Sequence, residues 1–244
     1  MAYYPSGVMR SLSISSDNRM PLVLSLSAHY RTHPNGTYNY SFNLGLRWKP
    51  SPNFSLSISP GYSWRRSAGQ YVSRVVDPLK TETYGVRYIL SDIIQKTVPT
   101  VIRINWTFTP RLSLQAFLQP YYAVGDFFLF KELRAARTFD FDYFEEGDST
   151  IALNDGMYTV DPDGPGPASS FRFRDPDFNL KSLRGTVVLR WEYRPGSTAY
   201  FVWTQNRADY SHPGDFDFAR DFDNIFTARG DHIFLFKLNY RFEL

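Results

Sequence analysis

Between Tyr38 and Trp48 the chain alternates with a strict period of two, and no other feature narrows its folding options so far. Tyr38, Tyr40, Phe42, Leu44, Leu46 and Trp48 fall on one face of an extended segment, and Asn39, Ser41, Asn43, Gly45 and Arg47 on the other. Such alternation marks a β-strand with two unlike faces. Before it, Leu22, Leu24, Leu26, Ala28 and Tyr30 alternate with Val23, Ser25, Ser27, His29 and Arg31. After it, Phe54, Leu56, Ile58, Tyr62 and Trp64 alternate with Ser55, Ser57, Ser59, Ser63 and Arg65, and the pattern returns within 102–108, 112–119, 187–193 and 234–242. Several runs reach the roughly ten residues that a tilted strand needs to cross a bilayer.

A soluble sandwich produces the same alternation, since one face packs inward and the other meets water. The placement of aromatics, 18% of the sequence, separates the two readings. Trp48, Trp106, Phe108, Tyr193 and Phe242 stand at one set of strand ends and Tyr30, Tyr38, Tyr62, Trp64, Tyr121 and Tyr122 at the other, with mainly aliphatic residues between. Aromatic girdles around an aliphatic band belong to membrane barrels, because Tyr and Trp rings prefer the headgroup level. No stretch approaches the roughly 18 consecutive apolar residues of a spanning helix, which argues against a helical membrane protein and is neutral for a barrel.

The connections fall into two kinds. Residues 49–53, 109–111 and 194–197 are tight turns rich in Pro, Gly, Ser and Asn, whereas 126–180 and 209–231 are long. Short periplasmic turns opposite long extracellular loops fit an outer-membrane barrel. The reading is therefore all-β: a transmembrane antiparallel up-and-down β-barrel forming one domain over 1–244. About eleven strands are counted, near 8–16, 21–31, 37–48, 54–66, 69–77, 81–91, 96–108, 112–124, 181–194, 197–208 and 232–243. An odd count would leave first and last strands parallel, while bacterial single-chain barrels have even counts. Either one strand escapes the pattern or N-terminal strands lie upstream.

With 27 basic and 24 acidic residues the net charge of +3 gives no sign of a nucleic-acid partner. The absence of cysteine removes disulfides, thiolate metal sites and cysteine nucleophiles. The opening MAYYPSGVMRSLSIS lacks the basic and apolar regions of a secretory signal, so export to the expected location, the bacterial outer membrane, would depend on residues upstream.

The stretches TETYGVRYILSD, RINWTFTPRLSLQAFLQPY, GDFFLFKELRAARTFDFDYF, FNLKSLRGTVVLRWEYRPGSTAYFVWTQNR and IFLFKLNYRFEL cover 81–244 in order. They resemble the C-terminal region of a family of outer-membrane proteins of unassigned activity described as carbohydrate-binding family 9 domain-containing. The resemblance implies a barrel preceded by a signal peptide and a sugar-binding sandwich upstream of Met1. The sandwich is absent here, so the resemblance assigns sugar binding to no residue of this chain.

The expected inner wall carries Arg31, Arg47, Arg65, Arg103, Arg190, Lys237 and Arg241, with Glu192 as a nearby carboxylate. A basic lumen favours anionic solutes; the alternative is that these cations pair with inward carboxylates or an upstream plug. The loops repeat an aromatic–acidic pattern at Phe139 and Phe141, at Asp175 and Asp177, and at Phe216 and Phe218. It suits either an oligosaccharide grip or a small loop core with Asp-capped turns. Asp155, Asp161 and Asp163 offer oxygen ligands for calcium but lack the spacing of a calcium loop. Glu145, Glu146 and Asp148 are candidates for one half of a glycosidase carboxylate pair. His29, His33, His212 and His232 have no zinc spacing, there is no Gly-x-Ser-x-Gly turn, and no cofactor is expected. The closing strand up to Phe242, followed by Glu243 and Leu244, resembles the signal read by barrel-assembly machinery. Expected partners are thus the lipid bilayer, that machinery and an oligosaccharide. The leading expectation is a conduit or anchor for surface carbohydrate handling, with a glycan hydrolase on a barrel platform or a soluble β-sheet binding protein as alternatives.

Overall fold

A computed structural model describes residues 6–211 and 214–242. It is all-β apart from one α-helix and a single 3-10 turn at Thr81–Thr83. Nine long strands form a continuous antiparallel meander: β1 (Val8–Ser15), β2 (Leu22–Thr32), β3 (Tyr38–Ser51), β4 (Phe54–Val76), β5 (Val86–Thr109), β6 (Leu112–Leu133), β11 (Phe178–Arg194), β12 (Ser197–Ser211) and β13 (Gly230–Asn239). Short β7 (Phe141–Tyr143) adds to the upper end of β6, while β8 (Thr150–Asn154), β9 (Met157–Asp161) and β10 (Phe171–Arg174) make a separate three-stranded sheet. Helix α1 (Phe218–Thr227) lies between β12 and β13. His212, Glu243, Leu244 and the N-terminal residues 1–5 lie outside the described residues.

The register carries the alternation across the sheet. One hydrogen-bonded row runs through Leu22, Trp48, Leu56, Ile104, Ala116, Val187, Trp203 and Phe234. These residues and those two positions up or down each strand make one apolar face, and the intervening Ser, Asn, Gln and Arg residues make the other. The apolar face is open: Leu24, Leu44, Phe201 and Phe236 are each about half exposed. The tight turns 52–53, 110–111 and 195–196 share one edge of the sheet, and 77–85, 134–177 and 214–229 share the opposite, upper edge. Gly196, at φ +76°, takes the left-handed conformation that closes the β11–β12 turn.

Aromatic rings follow both edges of this face. Below, Trp48, Phe54 and Trp106 are linked at centroid distances of 5.6 Å, and above, Tyr30, Tyr40 and Trp64 at 4.9 and 5.9 Å. The lower ring does not follow a hydrogen-bonded row. Relative to the row of Trp48 it stands two residues lower on β4 and β5 at Phe54 and Trp106, four lower on β11 at Trp191, and six lower just past β13 at Tyr240. The descent is close to one residue per strand.

Three sequence expectations change. Segments 54–66 and 69–77 are one strand, as are 81–91 with 96–108, so the meander has nine strands rather than eleven. Register shifts at Ser67/Gln70, Tyr71/Ser73 and Leu90/Asp92 break the period of two without ending the strands. The segment 126–180 is not a plain loop, because β6 runs to Leu133, β11 starts at Phe178, and four short strands lie between. Within 209–231 the chain forms α1. β1 pairs only with β2 and β13 only with β12, so among the described residues the sheet is not closed.

The largest buried cluster lies beyond the upper ring, in a cap where the three-stranded sheet meets the extended ends of β4–β6. Ile89, Phe130, Phe144, Val160, Phe171 and Phe173 form it, with Val72, Val75 and Tyr158 at its margin.

Candidate functional site

The polar face gathers the cations expected from the sequence. Arg31, Asn39, Arg65 and Gln95 share one row; Arg47, Ser57 and Arg103 share another. Arg190, Tyr200 and Lys237 share a third, with Glu192 two residues below Arg190. Arg241 lies just past β13, its backbone N–H donating to Ser197 Oγ at 2.9 Å. Arg184, flanked by Gln119 and Asn206, stands on the same face. It escaped the sequence reading because Gly185 removes the apolar beat beside it.

Most of these cations lack a counter-ion. Arg190 Nη2 stands 3.6 Å from Glu192 Oε2. Among the described residues, Arg31, Arg47, Arg65, Arg103, Arg184, Lys237 and Arg241 have no carboxylate at ion-pair distance. Arg103 rests over the Phe117 ring at 5.3 Å, and Arg47 donates to the Asn18 carbonyl at 3.3 Å. Two recesses open on this face. One, of about 350 Å³, is lined by Arg31, Asn39, Ser63, Arg65, Gln95 and Thr97. The other, of about 310 Å³, is lined by Gln119, Tyr121, Ser182, Arg184, Asn206 and Tyr210. Ser63 Oγ donates to Asn39 Oδ1 at 2.9 Å, leaving the amide N–H groups of Asn39 for an acceptor. The chemistry on offer is donation to anions and hydroxyl-rich solutes.

In the cap the charges are buried and paired. Arg87 binds Asp77 at 2.6 Å and Glu132 at 2.7 Å, and Lys80 also reaches Glu132. Asp92 is shared by Lys131 at 2.6 Å and Arg66 at 2.7 Å. Burial pushes the Asp77 carboxyl up, but the Leu79 backbone N–H and Arg87 outweigh it and hold the group below its ordinary value. Burial pulls Arg87 down, yet Glu132 and Asp77 together raise it. Tyr158, buried near Asp175, Asp177 and Asp126, is pushed up to about 12. These ion pairs hold the cap together.

A family described as a domain of unknown function (DUF5916) matches residues 1–243. The chain belongs to the DUF5916 family. Searches of curated proteins and of solved structures found no match.

In this DUF5916 chain the aromatic–acidic residues of the loops divide among three settings. Phe139 and Phe141 pack edge to face at 4.8 Å, and Lys131 sits over Phe141 at 4.7 Å. Asp175 receives the Asp177 backbone N–H, and Asp177 Oδ1 accepts from the Phe127 N–H at 2.8 Å, fastening the entry of β11 to β6. Phe216 packs on Tyr122, while Phe218 is exposed on α1. The three calcium candidates are not brought together. Asp155 occupies the β8–β9 turn, at the far end of that hairpin from Asp161, which pairs with Thr150. Asp161 Oδ1 accepts from Gly164 N and Asp163 Oδ2 from Ala168 N, both at 3.0 Å. Their carboxylates serve turns, and among the described residues no group of three or more His, Asp or Glu side chains is placed to hold a metal.

Proposed function

We propose that this DUF5916 chain forms part of the wall of an outer-membrane β-barrel, with its apolar face in lipid and its polar face lining a conduit. The observation that carries the reading is the stagger of the lower aromatic ring, about one residue per strand across the sheet. Strands of a closed barrel must tilt and shift register around the circumference. A ring level with a membrane surface therefore has to drift along the rows in this way. Trp48 and Tyr40 stand eight positions apart, about 26 Å along a strand at about 3.3 Å per residue. With tilt, that spans a membrane barrel's apolar band of about 25 Å. A contiguous apolar surface of this size is not left in water by a soluble monomer.

Strand parity sets what closure requires. β1 and β13 run in the same direction, so an odd number of further strands between them restores antiparallel pairing and brings the count to an even number. The reading therefore requires strands beyond the nine of the meander, and a sugar-binding module is what the resemblance to the carbohydrate-binding family 9 proteins implies. The unpaired arginines favour anionic solutes, which makes acidic oligosaccharides the preferred cargo of the conduit. β13 is the strand offered to the barrel-assembly machinery.

The test follows gel mobility with and without heating, and far-ultraviolet circular dichroism, in buffer and in detergent micelles. It uses this chain and a chain extended upstream. β structure and a heat-dependent mobility shift that need micelles, and are fuller for the longer chain, are expected. Cooperative folding of the monomer in plain buffer would overturn the proposal.

A further inference from the structure

On β2–β4 the upper aromatic ring is built by wall residues, Tyr30, Tyr40 and Trp64. If the upper ring descends in step with the lower one, its level falls at Tyr122 on β6, two residues below the row of Trp64, and at Leu183 on β11, four below. On β12 the same level is occupied by Gln205 and Arg207. In this sector the wall offers one tyrosine and no tryptophan, so the ring has a gap.

Helix α1 sits over that gap, on the apolar face. Ile225 is fully buried against Tyr122 and Leu183. Asp221, also fully buried, accepts from Asn179 Nδ2 at 3.1 Å, and Arg207 Nη1 donates to the Phe226 carbonyl at 2.7 Å. Asp217 caps the helix by accepting from the Arg220 N–H at 2.9 Å. Successive residues turn by about 100°. With Asp221 and Ile225 against the wall, Phe218, Phe222 and Phe226 therefore line one flank and Arg220, Asp223 and Thr227 the other. The three phenylalanines stack on one another at 5.6 and 4.8 Å and are 65%, 47% and 51% exposed. The wall holds the helix through Asp221 and Ile225, which leaves the phenylalanine flank about half exposed or more.

We infer that α1 completes the upper aromatic ring, laying Phe218, Phe222 and Phe226 into the boundary between headgroups and acyl chains. A helix with one aromatic and one charged flank lies in that boundary. Ile225 seats the helix on Tyr122 and Leu183 of the apolar face, so the stripe lies beside the wall's apolar band, which makes lipid its occupant. The inference rests on the membrane reading above and goes beyond it by assigning a lipid contact to a segment outside the wall.

The sequence has no cysteine, so single nitroxide labels at Phe222→Cys, Asp223→Cys and Leu44→Cys report without background. The full chain is reconstituted in phosphatidylcholine vesicles, and each label's accessibility to oxygen and to a water-soluble nickel chelate is measured by power saturation. Labels at 44 and 222 are expected to favour oxygen, with an oxygen-to-nickel ratio several-fold above that at 223. A nickel-accessible label at 222 beside a lipid-exposed label at 44 overturns the inference and leaves the membrane reading standing. A label at 222 shielded from both reagents places a protein surface on the stripe and also overturns it. Nickel access at 44 removes the membrane reading and the inference together. Phe226→Cys repeats the measurement if Phe222→Cys does not fold.

Discussion

Glu132 shows what a single residue contributes to the cap. Its carboxylate takes Arg87 at 2.7 Å and also Lys80, and both Glu132 and Arg87 are buried. Breaking a buried pair so that one charge is left alone costs roughly 3–5 kcal/mol, and because Arg87 keeps Asp77 the loss of Glu132 costs less than that. Glu132→Gln is expected to raise amide hydrogen exchange at the upper ends of β5 and β6 and to leave β2 and β3 unchanged. Acid acts on the same network through Asp77. Its folded value is depressed, so its contribution is complete above its unfolded value near about 3.9 and is lost as pH falls through the lower folded value. Exchange protection of the cap should hold from neutrality to about pH 4 and weaken below it, and Asp77→Asn should flatten that response. Little of this was legible in the sequence, because Arg87 and Glu132 are 45 residues apart and neither stands out in composition. The positions of the polar-face cations other than Arg184 and Arg241 were legible, because each occupies the polar beat of an alternating strand.

The strands that keep a strict period of two were read from sequence to within a few residues, and the bulged ones were not. β4 and β5 each carry register shifts near their upper ends, and each had been divided in two. The cap strands β7–β10 are too short for alternation to register, and α1 is hidden in an acidic, aromatic stretch whose polar residues include its cap and its buried anchor. The cap has its own core, and Phe130 is central to it. Phe130→Ala is expected to cost about 3–5 kcal/mol and to release the three-stranded sheet to proteolysis while the meander stays protected. Loss of structure throughout would mean that cap and wall fold as one unit.

For the whole molecule, the apolar face is left open, and the proposed function gives it lipid as its solvent. Leu44 stands mid-band on that face, and Asn43 is its neighbour on the polar one. Leu44→Arg is expected to destabilise folding in bilayers by about 2–4 kcal/mol, and Asn43→Arg to have little effect, as read by urea titration of vesicle-embedded protein. The odd parity of the meander was present in the sequence count and survives its correction from eleven strands to nine. The row-by-row stagger needed the register, and the proposed membrane level rests on it. The most direct test of that level is a nitroxide scan of every residue from 40 to 48 in lipid vesicles. The account predicts high oxygen accessibility at 42, 44 and 46 and low values at 41, 43, 45 and 47. Equal nickel access at both parities, or even positions shielded from both reagents as in a soluble core, would contradict it.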